Sequence, residues 1–253
     1  MLQQESAPAA VFVCLLPSIA VTIVAMTVCI ALLADRGTKA VLVADRMLTT
    51  PGLLPYSSDN AAEKILKIND SVHVMWAGGL ADAANILSSA KTNIGTRKLS
   101  VQEIAEQLRL AHLKYLLDLL ENQHVKGRGI QDLAAFYGDK TINLSSVARG
   151  EVEQALATYN LLSNTQFIVC GKDDDGQYKI FMLNTNPRLT VMLAMAGWAT
   201  IGSAFLHAQY AITHSDFDLN LPVDQVRTIA EMAKKKAEKD PGVGKDTDIV
   251  ELA

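Results

Sequence analysis

Few residues of this 253-residue sequence stand at spacings that support a familiar reaction. Its five histidines, His73, His112, His124, His207 and His214, never fall at HExxH or comparable ligand spacing, so each reads as a core or surface residue rather than a metal ligand. Cys14, Cys29 and Cys170 are odd in number and far apart. With no CxxC pair they predict neither a disulfide framework nor a zinc site, and a reducing compartment suits them best. Asp173-Asp174-Asp175-Gly176 could attract calcium, but the other ligands of an EF-hand loop are missing, which predicts a turn. Lys234, Lys235 and Lys236 form a basic run that, on a helix, points in different directions and predicts a solvated face. One junction remains: a second methionine followed at once by a threonine, Met26-Thr27. Either Thr27 belongs to a membrane segment, or it is the first residue of the working protein.

The elements around that junction allow both. No charged residue occurs from Ser6 to Ala34, more than the ~20 residues needed to span a bilayer. A membrane helix over residues 9–33 is therefore one reading; a cleaved signal peptide fits less well, because Glu5 and no Lys or Arg precede the stretch. Yet Val21, Thr22, Ile23, Val24, Thr27, Val28 and Ile30 are β-branched, which suits a buried strand equally. After Asp35-Arg36-Gly37 a second apolar run, Ala40 to Ala44, ends at Asp45-Arg46. Two apolar runs joined by a short polar turn predict a hairpin of buried strands. Periodicity does not choose between that hairpin and a helix from Ala9 to Leu33.

Further along, residues 65–68 and 71–76 bracket Asn69-Asp70 as a second hairpin, and residues 166–171 and 178–182 flank the acidic turn as a third. Helices are expected from about Leu80 to Ala90, from the capping-box sequence Ser100-Val-Gln-Glu103 to about Asn122, from Ile201-Gly-Ser203 through Ala211, and from Pro222 to about Lys239. Strands are expected near Leu189–Met195 and Asp248–Leu252; the stretch between residues 120 and 165 is hard to read. Hairpins grouped between pairs of helices predict an α+β fold, antiparallel sheets covered by helix layers. No low-complexity linker or repeat divides the chain, so one domain is expected. The net charge of −4 and the lack of a basic-aromatic face exclude a nucleic-acid footprint.

Taken singly, the polar residues of these elements are unremarkable. Lys64 reads as an exposed strand lysine and Asp45 as a turn residue. Gly78-Gly79 reads as a tight turn, Ser203 as a helix cap, and Asp240 before Pro241 as a helix end. In register they say more. Thr27-Val-Cys-Ile-Ala, Val43-Ala-Asp-Arg46, Glu63-Lys-Ile-Leu-Lys-Ile68, Ala77-Gly-Gly79, Ile201-Gly-Ser203 and Asp240-Pro-Gly-Val-Gly244 resemble, in order and approximate spacing, the β-type subunits of proteasomes. These are threonine members of the N-terminal nucleophile (Ntn) hydrolases, and the similarity is greatest to their bacterial and archaeal proteasome-like relatives. It runs from Thr27 to the C-terminus, with a poor match over residues 120–165.

The resemblance implies a four-layer αββα sandwich, with two antiparallel sheets between helix layers, formed by residues 27–253. It makes residues 1–26 a leader, a propeptide or an over-extended start. It also implies a peptide or amide hydrolase without metal or cofactor. Thr27 Oγ would attack a carbonyl while its own α-amine, with an ordinary pKa near 8, manages the proton. Lys64 would sit beside Oγ, Asp45 would pair with Lys64, and the Gly78 N–H would serve the oxyanion. Ser203 and Asp240 would hold the amine. Three positions depart from the family pattern: Met47 replaces an arginine near Asp45, Val243 replaces a serine that supports the N-terminus, and Met26 stands where self-processing subunits carry glycine. The last favours translation from Met26 with ordinary methionine removal over self-cleavage. A cytoplasmic homo-oligomer, a ring or a smaller assembly, is expected, with any unfoldase partner undefined. The alternatives are a catalytically inactive assembly subunit, a non-peptide amidase, and a membrane-anchored protein using residues 9–33.

Overall fold

The run that reads as a membrane segment becomes, from Cys29 onward, a strand buried on both faces. The computed structural model describes residues 27–50, 56–58, 62–138, 145–158 and 164–253. In chain order the strands are β1 (Cys29–Ala34), β2 (Lys39–Asp45), β3 (Leu48–Thr50), β4 (Tyr56–Ser58), β5 (Ile65–Lys67), β6 (Val72–Ala77), β7 (Gln166–Lys172), β8 (Tyr178–Leu183), β9 (Met192–Leu193), β10 (Trp198–Ile201) and β11 (Thr247–Leu252). The helices are α1 (Leu80–Ile94), α2 (Val101–Leu120), α3 (Leu133–Gly138), α4 (Ser146–Thr158), α5 (Phe205–Thr213) and α6 (Val223–Ala237). One antiparallel sheet has the order β10-β1-β2-β11, another β5-β6-β7-β8-β9, and β3 pairs with β4 apart from both.

Alternation along β1 shows how the layers stack. Ile30, Leu32 and Ala34 pack with Ala208, Ile212, Ala230 and Ala233 of α5 and α6. Cys29 and Ala31, facing the other way, pack with Met75, Ile168 and Ile180 of the second sheet. The far face of that sheet, through Val74, Trp76, Val169 and Phe181, is covered by Ile86, Ile104 and Leu108 of α1 and α2. The layers are helix, sheet, sheet, helix. A strand between a helix layer and another sheet has no solvent face, so it must be apolar at every position. That physical requirement makes β1 look like a membrane span.

The part of the expected 9–33 helix that lies within the described residues is therefore strand; residues 9–26, with the expected leader and Cys14, lie outside them. Among the described residues no helix is long and apolar enough to cross a membrane. The three hairpins form at the expected places. The capping box closes as read: Ser100 Oγ accepts from the Glu103 N–H at 3.2 Å, and Glu103 Oε2 accepts from the Ser100 N–H at 2.8 Å. Four expectations need correction. The strand near Leu189–Met195 shrinks to the edge strand β9, whose apolar side chains are exposed. Residues 198–201, not singled out in the sequence, form β10. Ile201 closes that strand, and α5 starts only at Phe205. Lys234, expected on a solvated face, is buried, while Lys235 and Lys236 are exposed as expected.

Candidate active site

Thr27, Asp45, Lys64, Gly78 and Ser203 all stand at or just beyond strand ends. Thr27 is two residues ahead of β1, Asp45 closes β2, and Lys64 precedes β5. Gly78 follows β6, and Ser203 lies two residues past β10. The site assembles at those ends. Asp45, fully buried, is its hub. Its Oδ1 accepts from the Thr27 hydroxyl at 2.6 Å and from the Val28 N–H at 2.9 Å. Its Oδ2 accepts from the backbone N–H groups of Met47 at 3.1 Å and Gly244 at 3.3 Å. The Lys64 ammonium lies 3.0 Å from both carboxylate oxygens and also donates to Thr27 Oγ. Lys64 is thus not the exposed strand lysine its isolated sequence position implies. Taking the ammonium and carboxylate out of water costs several kcal/mol each, which is tolerable only because each is met by several partners.

This arrangement polarises one hydroxyl. Thr27 Oγ donates a hydrogen bond to a carboxylate and receives one from an ammonium, so negative charge developing on Oγ would be met by Lys64. The neighbouring thiol offers no competing nucleophile. Burial pushes the Cys29 thiol up to about 12, outweighing the opposing pull of Lys64, and Cys29 Sγ donates to the Trp76 carbonyl at 3.2 Å. Trp76 also fixes the Lys64 backbone: its N–H donates to the Lys64 carbonyl at 3.2 Å, and its indole Nε1–H to the Glu63 carbonyl at 3.3 Å.

The turn from Gly202 to Ala204 wraps the main chain of Thr27. The Thr27 N–H donates to Ser203 Oγ at 3.2 Å, and the Ala204 N–H donates to the Thr27 carbonyl at 3.4 Å. Gly202 has φ of +98°, and a Cβ there would lie 2.2 Å from the Thr27 carbonyl oxygen, so only glycine allows this approach. Gly78 is constrained alike: φ is +120°, and a Cβ would fall 2.3 Å from the Asn164 carbonyl oxygen. Asp240 stands one step away. Its carboxylate accepts from the Gly242 N–H at 3.1 Å and its carbonyl from the Val243 N–H at 3.0 Å, which shapes the turn leading to Gly244.

Two departures from the expected pattern acquire a physical account. At position 47 the backbone N–H, not a charged side chain, meets Asp45. Val243 is buried in the apolar cluster of α5 and α6, so it anchors its turn by packing. The sequence missed the backbone donors of Met47 and Gly244, because every residue type but proline carries an N–H. It also missed Gln166, whose Oε1 accepts from the Gly202 N–H at 3.0 Å. A polar side chain directly across the ladder from Ala77, beside Gly78, was the available signal.

Two hollows flank the site. One, of about 280 Å³, is lined by Glu63, Leu66, Trp76, Leu80, Ala83 and Leu87 and is mainly apolar. The other, of about 180 Å³, includes Gly78, Asn164, Gln166, Thr185 and Ser203. A larger hollow of about 450 Å³, between Lys98, Glu103, Lys172 and Asp174, lies at the opposite end of β7, roughly 20 Å away at 3.3 Å per strand residue. It contains none of these groups. Among the described residues no cluster of three or more His, Cys, Asp or Glu side chains could hold a metal.

The sequence matches no protein-family model and no curated protein. Among solved structures, a eukaryotic HslV from Trypanosoma brucei is similar over 89% of this chain and 99% of its own, with 20% identity and a TM-score of 0.52. At that identity the likeness is one of fold. Two antiparallel sheets between helix layers are thus a fold that this chain shares with HslV over most of both chains.

Proposed function

We propose that this chain is a threonine-type N-terminal nucleophile hydrolase that cleaves peptide or other amide bonds once Thr27 is its first residue. The observation that carries this reading is the placement of Thr27 Oγ between Asp45 and the Lys64 ammonium, with the Thr27 nitrogen on Ser203. While Met26 is attached, that nitrogen is an amide and cannot act as a base. Once freed, it is an amine. The hydroxyl proton then passes to the amine as Oγ adds to the substrate carbonyl, and Lys64 stabilises the charge forming on Oγ. The Gly78 N–H supports the oxyanion. Collapse breaks the C–N bond, the α-ammonium returns its proton to the leaving nitrogen, and water hydrolyses the ester on Thr27 by the same steps. Ser203 orients the amine directly; Asp240 acts through the turn that carries Gly244 to Asp45. The hollow formed by Leu66, Trp76 and Leu80 supports an apolar side chain on the acyl side. Exposed Phe205, Leu206 and Tyr210 on α5, with Met232 on α6, support assembly into a homo-oligomer.

The test is the natural protein's intact mass and N-terminal sequence, followed by exposure to a β-lactone. A chain starting at Thr27 that gains one lactone mass on that residue is expected. A mature chain starting at Met1, or a Thr27→Ala protein hydrolysing at the full rate, refutes the reading.

A further inference from the structure

The polar hollow has a chemistry of its own. Its walls include Gly78, at the site of the oxyanion, and Ser203, at the Thr27 nitrogen, so it opens on the amine side of the nucleophile. Gln166 reaches it from β7, where it pairs across the ladder with Ala77. Its side-chain orientation is fixed by one contact. The Gly202 N–H is a donor and can be met only by the amide oxygen, so Oε1 is committed to Gly202. The two Nε2 hydrogens are left on the other branch of the amide, and half-buried Thr185 and exposed Asn164 line the same hollow. A donor pair thus sits where no protein acceptor is required to meet it.

We propose that this hollow receives the leaving side of an extended peptide substrate, and that Gln166 donates from Nε2 to a main-chain carbonyl beyond the scissile bond. The proposal rests on the hydrolase reading above. If the α-amine returns the proton to the leaving nitrogen, that nitrogen must depart on the side where Ser203 holds the amine, and this is the side the hollow occupies. The two hollows then divide the substrate: apolar contact for the acyl part, hydrogen bonding for the part released. Gln166 carries two tasks on one amide. Oε1 positions the turn that holds Thr27, and Nε2 selects substrates that continue past the cleaved bond.

The two tasks separate by substitution. Gln166→Glu keeps an oxygen for the Gly202 N–H and removes the donor; Gln166→Leu removes both. The test uses protein beginning at Thr27 and two substrates sharing one N-blocked tripeptidyl-leucine acyl group. One is a 4-nitroanilide, and the other continues with three alanines after the scissile bond. Rates are compared on the alkaline plateau of the pH profile, where the amine is free whatever charge stands nearby. With Gln166→Glu, the peptide-to-anilide ratio of kcat/KM is expected to fall about tenfold, as for one lost hydrogen bond. With Gln166→Leu, both substrates and the rate of β-lactone labelling at Thr27 fall together. An unchanged peptide-to-anilide ratio in Gln166→Glu, with normal labelling, overturns this assignment and leaves the hydrolase reading standing. Wild-type protein that is neither labelled nor active on either substrate overturns both.

Discussion

Among the described residues two lysines are buried almost completely, Lys64 at 1% exposure and Lys234 at 2%, and they serve different ends. Lys234, on α6, spends its ammonium on Glu238 Oε1 at 2.7 Å and on the carbonyls of Gly244 at 2.6 Å and Lys245 at 2.9 Å. All are closed, unreactive partners. Lys64 shares its ammonium between Asp45 and a hydroxyl, a partner that can change its charge. Burial of a charge therefore takes two forms here, one closed by fixed acceptors and one shared with a hydroxyl. The two lysines are nonetheless linked, since Lys234 holds the carbonyl of the residue whose N–H donates to Asp45.

The comparison breaks if the two lysines prove interchangeable in their effects. Replacement of Lys64 by methionine is expected to lower kcat/KM roughly 10³-fold, the scale of a lost electrostatic stabiliser, measured on folded protein beginning at Thr27. Lys234→Met should act the other way round. Urea denaturation is expected to show a loss of about 3 kcal/mol, because Glu238 and two carbonyls lose a buried donor, while the folded fraction keeps its activity within about tenfold. Equal losses of activity in both variants would erase the distinction between the two lysines.

A third buried base extends the series to one with no partner. His112, on α2, has neither ring nitrogen hydrogen-bonded and stands edge-on to Phe167 at 5.8 Å. Burial pushes its pKa down to about 4, against a smaller upward pull from Asp82. Above pH 6.5 the ring is neutral in the folded and unfolded chains alike and contributes nothing. As pH falls from 6.5 toward 4, the unfolded chain takes up a proton that the folded chain refuses. That difference, about two and a half pH units, costs roughly 3 kcal/mol by pH 4. Chemical denaturation across this window should show that loss in the wild type and a flatter curve in His112→Phe. The smallest effect belongs to a lysine in water. Lys98 pairs with Asp174 at 2.9 Å with both side chains largely exposed, and Lys98→Ala should leave the melting temperature unchanged.

The sequence carried the layers better than the edges. Strands β1, β2, β6 and β7 are buried on both faces or paired on both sides, so their apolar runs stood out. β10, at the rim of its sheet, has the sequence Trp-Ala-Thr-Ile and gives no comparable signal. The exposed apolar residues Leu189, Met192, Leu193 and Met195 misled the strand assignment, since hydrophobicity there does not report burial. Helices α3 and α4 were illegible: they pack with Val125 and Ile130 in a small satellite cluster, where few positions must be apolar. Within the site, Thr27, Asp45, Lys64, Gly78, Ser203 and Asp240 could be named because their spacing matched a family pattern. Gly244 could be quoted with that pattern but not given a task, since its contribution is a main-chain N–H.

One contact described above also sets when the site can exist. Asp45 and Gly244 are 199 residues apart in sequence, and Thr27 and Ser203 are 176 apart. β11, which begins at Thr247, edges the strand that ends in Asp45. A ribosome must therefore deliver nearly all of this chain before the carboxylate hub has its full set of donors, and contacts of such long range form late in folding. A polypeptide cut short before residue 240 would carry the threonine, the lysine and the aspartate, and still lack the turn that completes them. Synthesis to the last strand is therefore the condition for a complete Asp45 hub.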